Sequence, residues 1–302
     1  MLENFFRLNS GATDISTQIA FQHIYGQNDY VDNLIYYPDN LSGSSAISKL
    51  KIKSITFVNV SFKDTTFENV EFSNCHFEDC LFLGAKIKKC KFLECSFKGV
   101  NTYGIEITDT YINPIFFCNN FKFNHYTKAN ISVQLFQELY NNAIKQDISD
   151  FAKNAKYYLL LWEDKLLVSK FFFNRPYPIK WYKFFKEIIP NSFFRFGFGY
   201  GLRLRNFIFS FIIIFTSCFF YNKLNWHLYN LHEKDFLIED FKYCVYSDYA
   251  NLFYTLDVLT KAVDSQFQPG SNFGMIAYCT QGGIGLIFFS LLITVLINKF
   301  VK

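Results

Sequence analysis

Residues 67–82 read FENVEFSNCHFEDCLF, with phenylalanine at Phe67, Phe72, Phe77 and Phe82. A spacing of five matches neither the helical period nor simple strand alternation. The same column runs outward in both directions, through Ile52, Phe57, Phe62, Ile87, Phe92 and Phe97. A second column lies two residues earlier and holds smaller side chains, among them Ile55, Val60, Thr65, Val70, Cys75, Cys80, Ala85, Cys90 and Cys95. The other three positions are mostly Lys, Asp, Glu, Asn and Ser.

In extended chain, residues two apart share a face, so Val60 and Phe62 point inward together. The next inward pair is Thr65 and Phe67. Three steps separate Phe62 from Thr65, which on a straight strand would reverse the face. The chain must therefore turn a corner once per pentad. Four corners close a square coil of about twenty residues, and stacked coils bury one another's apolar surfaces.

This pattern resembles the pentapeptide-repeat family, whose pentads carry a large central Phe or Leu and a small residue two positions before it. The resemblance covers Leu50 to Ile112, with a lapse at Thr102. It implies a right-handed quadrilateral β-helix over 47–118, with Phe57, Phe62, Phe67, Phe72, Phe77, Phe82, Phe92 and Phe97 in its core. One known family role is imitation of DNA by a long acidic rod. Residues 50–114 hold eight Lys against eight Asp plus Glu, so the coil is balanced and no nucleic-acid role is expected. A protein partner on the rod end or on a polar face is the expected alternative.

The cysteines at multiples of five are read as core thiols, since free Cys packs as a small hydrophobe. Zinc ligands usually come in closer pairs. No metal, cofactor or catalytic arrangement is expected, and no enzyme: the five His are scattered, and no phosphate-cradling loop follows a strand. MLENFFRLNSG shows no basic start followed by an apolar run, so the N-terminal part is expected in the cytosol with reduced thiols. Residues 1–46 are assigned to a segment that caps the open end of the coil.

Half the residues are apolar and 21% aromatic, which is rich for a soluble chain. The excess lies in the C-terminal half. Residues 130–171 read as a helical hairpin, similar to a single tetratricopeptide-type unit, with Asn130 or Ser132 as N-cap and a role in docking rod to membrane domain. Residues 174–205 mix Trp, Tyr and Phe with Lys and Arg, a composition suited to the membrane interface. Its GFGYG (197–201) precedes the first span, so it is not a potassium filter.

Residues 206–222 and 273–298 carry no charge and are long enough to cross a hydrocarbon core of ~30 Å. Arg203, Arg205, Lys299 and Lys302 flank them, placing both termini in the cytoplasm of a multi-pass cell-membrane protein, a bacterial inner membrane by the resemblance below. Between the spans, residues 251–262 form a half-length helix.

That order resembles a bacterial group in which pentapeptide repeats and a helical hairpin precede a two-span, potassium-channel-like domain. The resemblance implies a homo-oligomer, a tetramer, in contact with lipid. No T-V-G-Y-G filter follows the half-helix; the chain reads KAVDSQFQPG instead (261–270). Selection would then fall to side chains, so the ion-contacting candidates are Asp257, Asp264, Gln266, Thr280 and Gln281. The alternative places both Asp in water at the outer surface. Gly282, Gly283 and Gly285 are read as a hinge or as sites of close helix packing, with Gln281 lining a pore or bonding a neighbour. The expected function is a cation channel with weak or no potassium selectivity and a cytosolic regulatory domain. The alternative is a non-conducting, membrane-anchored interaction module.

Overall fold

The computed structural model describes residues 11–43, 49–121, 126–173, 179–202, 204–229, 231–233, 248–261 and 267–300. Two compact units divide the chain, 1–188 and 189–302.

The first unit is built from short parallel strands in three sheets, in an arrangement consistent with a β-helix. One sheet aligns Val31, Phe57, Phe77 and Phe97 side by side. Another aligns Ile52, Phe72 and Phe92, and the third Leu41, Phe67, Ile87 and Ile107. Isolated bridges through Ser61, Leu81 and Asn101 make a fourth ladder. The corners fall where the five-residue period demands them. Asn59, Asp64, Asn69, Asn74, Asp79, Lys89, Glu94 and Asp109 all have φ between 49° and 57°, and Gly84, Gly99 and Gly104 complete the series. Asn, Asp and Gly tolerate this left-handed conformation best, which explains their recurrence two residues after most of the central Phe.

Phe57, Phe77, Phe97 and Phe117 form a continuous stack with centroid spacings of 5.1, 4.9 and 4.0 Å. Cys75, Cys80, Cys90 and Cys95 are buried and reduced. Burial pushes the thiols of Cys80 and Cys95 up to about 12 and that of Cys90 to about 11. Outside, charges alternate in sign along the cross-strand register. Lys51, Glu71 and Lys91 are neighbours, and so are Glu68 and Lys88, Lys86 and Glu106, and Glu78 and Lys98. Opposite charges across strands support register, so the balanced composition is spent within the coil surface.

The coil begins earlier than the repeat count indicates. Strand Tyr30–Tyr36 pairs with Thr56–Ser61, and Asn40–Ser42 pairs with Thr66–Glu68. Helix α1 (Gln18–Gln27) then covers this end, packing Phe21 against Tyr36, Phe57 and Phe62 at 5.1–6.1 Å. At the other end stand α2 (Ala129–Lys145) and α3 (Ser149–Phe172), whose Ile131, Leu135, Phe136, Leu139, Leu159 and Trp162 join the coil's apolar core. Polar side chains complete the last coil's backbone bonds. Val100 N donates to Asn120 Oδ1 (2.7 Å), Gly104 N to Gln134 Oε1 (3.1 Å) and Thr110 N to Asn142 Oδ1 (3.1 Å). Asn142 and Gln146 each donate to Thr110 O. The hairpin's apolar face is thus spent on closing the solenoid, and both rod ends are covered by the chain itself. Neither Asn130 nor Ser132 caps α2, because the turn Tyr126–Lys128 runs straight into it and Lys128 occupies the cap position.

Helix α4 (Trp181–Phe198) follows, and the division between units falls within it. The segment 174–205, assigned to the interface by composition, is largely helical, with 174–178 and 203 outside the described residues. A tight turn at Gly199–Gly201, with Tyr200 at φ 57°, leads into α5 (Leu204–Asn225). After α5 come α6 (Asp248–Thr260) and α7 (Asn272–Phe300). Two stretches, 204–228 and 272–297, are long and apolar enough to cross a membrane. GFGYG sits before both and forms the end of α4 and its turn.

Candidate functional site

The second unit places uncharged polar side chains where an apolar run would be expected to bury hydrocarbon. Asn222 lies in the last turn of α5 and is completely buried. Its amide meets Gln281 of α7 reciprocally: Asn222 Nδ2 donates to Gln281 Oε1 (3.0 Å), and Gln281 Nε2 donates to Asn222 Oδ1 (2.7 Å). Asn222 Nδ2 also donates to Thr255 Oγ1 of α6 (2.9 Å), and Tyr229 OH donates to Asn222 Oδ1 (2.9 Å). Thr255 Oγ1 donates to Asn251 Oδ1 one turn earlier (3.3 Å), and Asn251 Nδ2 returns to Phe219 O of α5 (3.2 Å). All five side chains are buried. A buried amide leaves a large desolvation cost unless its donors and acceptors are met. Here they are met between three helices, which ties the half-length α6 to both long ones.

Helix α6 also rests on the backbone of α7. A Cβ at Gly285 would overlap the Leu259 carbonyl oxygen, and one at Gly282 would crowd Lys261 Cε at 3.1 Å. A Cβ at Gly283 would meet nothing within 4 Å. Two of the three glycines therefore permit close packing, and Gly283 faces open space. Lys261 ends α6 with its ammonium 3.5 Å from the Tyr278 ring centroid.

The sequence candidates separate. Gln281 belongs to the amide cluster and bonds a neighbouring helix. Thr280, next to it, is exposed on a groove of about 360 Å³ between α5 and α7, lined also by Ser217, Cys218, Tyr221, Phe273 and Ile276. Asp257 is buried on α6, at 3% exposure. Asp264 and Gln266 lie outside the described residues. Sequence reasoning missed Asn222, Tyr229, Asn251 and Thr255. Their signal was an Asn closing an apolar span and an Asn–Thr pair one helical turn apart. Among the described residues, no three His, Cys, Asp or Glu come together in a metal-binding group.

No protein-family model matches this chain, and no curated protein matches it.

Proposed function

We propose that this chain is an ion-channel-like membrane protein, with α5 and α7 as its two spans and α6 as a re-entrant half-helix between them. One observation carries the reading: a helix of 13 residues, too short to cross, is held between two membrane-length helices through the Asn222–Gln281–Thr255–Asn251 cluster. Non-spanning backbone at membrane depth is tolerated where it is packed in protein or lines a water-filled cavity. A simple anchor has no use for it. The pore forms between copies, four if the likeness to channels extends to symmetry, and conducts cations with weak or no potassium selectivity. Asp257, on α6, is the described ion-contacting candidate of that helix. An ionisable group at such depth is costly and commonly functional.

The first unit is, in this reading, a right-handed pentapeptide-type solenoid on the cytoplasmic side, where the Lys and Arg flanking the spans also lie. With both ends covered, its lateral faces are what a regulatory partner would meet. The second reading, a non-conducting anchored module, is favoured by the closure of the amide cluster within one chain. Flux of potassium and sodium into liposomes holding the whole protein decides between them. The channel reading expects flux of both ions, reduced by Asp257→Asn. Correctly inserted protein with no flux of either ion favours the anchored module.

A further inference from the structure

Helix α4 carries a face that the chain leaves uncovered. Tyr182, Phe185, Ile189, Phe193 and Phe196 recur at steps of three and four, which is one stripe of an α-helix. Their exposures are 56, 47, 63, 59 and 68%. The other side of the helix is used: Phe184 is buried and stacks on Phe171 at 4.2 Å, and Phe198 is buried against Phe207 and Phe288. The charged side chains of α4 are mostly cationic, with Lys183, Lys186 and Arg195 against Glu187 alone. The Arg195 guanidinium lies 4.2 Å from the Phe196 ring centroid, so charge and aromatic surface sit together.

Two bonds fix where the helix ends. Ser210 Oγ donates to Gly197 O (2.6 Å) and Asn206 Nδ2 donates to Arg195 O (3.4 Å), so the last turn of α4 lies beside the first turns of α5. In the proposed membrane reading, on which this inference rests, that is headgroup depth.

We propose that α4 is an in-plane anchor that lays its Tyr182–Phe196 stripe into an anionic lipid surface. The occupant follows from chemistry. Aromatic rings lower their free energy at the interface, and Lys and Arg beside them attract anionic headgroups. The tight turn Gly199–Gly201, which joins α4 to a membrane-length helix, delivers the stripe to that level.

The test places the photo-crosslinking residue p-benzoylphenylalanine, one site at a time, in the full chain in nanodiscs of phosphatidylcholine and phosphatidylglycerol. Substituting Phe185, Ile189, Phe193 or Phe196 should give lipid adducts, and substituting Glu187 or Asn191 should give few. Phosphatidylglycerol adducts should exceed that lipid's mole fraction roughly two- to five-fold and fall toward it in Lys183→Glu with Lys186→Glu. Adducts to protein, or none, at the four stripe positions would overturn the proposal, and equal labelling of both lipids would overturn its anionic part. Ile212 of α5 and Ile287 of α7 serve as references. If they give no lipid adducts, the spanning reading itself fails; if they do and the stripe does not, only the α4 inference falls.

Discussion

The two units differ in the polar groups they bury and in the apolar groups they expose. The first buries Phe57, Phe67, Phe77 and Phe97 and turns Lys and Glu outward. The second buries Asn222, Asn251, Thr255, Asp257 and Gln281 and turns Ile208, Phe209, Ile212, Ile213, Ile287 and Ile293 outward. One physical rule covers both. Apolar groups go where water would otherwise meet them, and polar groups go where they find partners. An exterior of exposed Ile and Phe suits hydrocarbon, and in hydrocarbon an amide must find its partner within the protein. The contrast shows that burial alone does not identify an apolar core.

The contrast can be broken most forcibly in the solenoid. Phe77→Asp puts an unpartnered charge at a position 1% exposed and should abolish the folded β signal of the whole protein in circular dichroism. Glu78→Lys one residue on replaces an exposed pairing with Lys98 by an exposed like-charge pair and should leave the fold intact with only a slightly lower melt. Equal melts for the two variants would refute the inward register.

A smaller effect comes from alkali. The folded solenoid holds the Cys80, Cys90 and Cys95 thiols protonated above their ordinary value of 9.0, while the unfolded chain releases those protons. Stability is therefore complete below about pH 9 and declines as pH rises toward 11 to 12, by at most about 1.4 kcal/mol per pH unit for each thiol. Chemical denaturation between pH 8 and 11 should show this decline, and replacing the three by Ala should lessen it, with Cys75, Tyr25 and Tyr36, also raised by burial, keeping part of it.

In the second unit, Gly285→Ala should loosen α6 by about 1–3 kcal/mol, because the Leu259 carbonyl occupies the space of the added methyl. Gly283→Ala should be neutral or mildly stabilising. Thermal melts in one detergent compare them, and equal destabilisation would contradict the packing described. The smallest expected effect is the coupling between Asn222 and Gln281. A double-mutant cycle to Ala should give about 0.6 kcal/mol and no more than about 1.7, the range of interhelical hydrogen bonds in membranes.

Much of the solenoid was legible because its period is local: each pentad repeats the same inward pair and the same corner. Val31, Tyr36 and Leu41 escaped the count because Val31 and Phe57 pair twenty-six residues apart, against twenty for Phe57 and Phe77. Lys89 and Glu94 show why the corners were less legible than the core, since they take left-handed φ without the residue types that favour it. The two membrane-length helices were legible from length and lack of charge. Gln281 stood out inside its apolar run, but Asn222, 59 residues away, did not, because no periodicity links helices that meet only in space. The role of α2 and α3 as a lid on the coil depended likewise on single long-range bonds from Gln134 and Asn142.

The half-helix is where the account is most exposed. Amide hydrogen exchange of the whole protein in nanodiscs, followed by mass spectrometry, reads it directly. If α6 is docked between the spans, peptides covering 248–260 will be protected to nearly the same degree as those of α5 and α7, and Gly285→Ala will release them while the spans stay protected. Exchange of 248–260 at the rate of an open loop in the unmodified protein would contradict the docked half-helix and remove the basis of the channel reading.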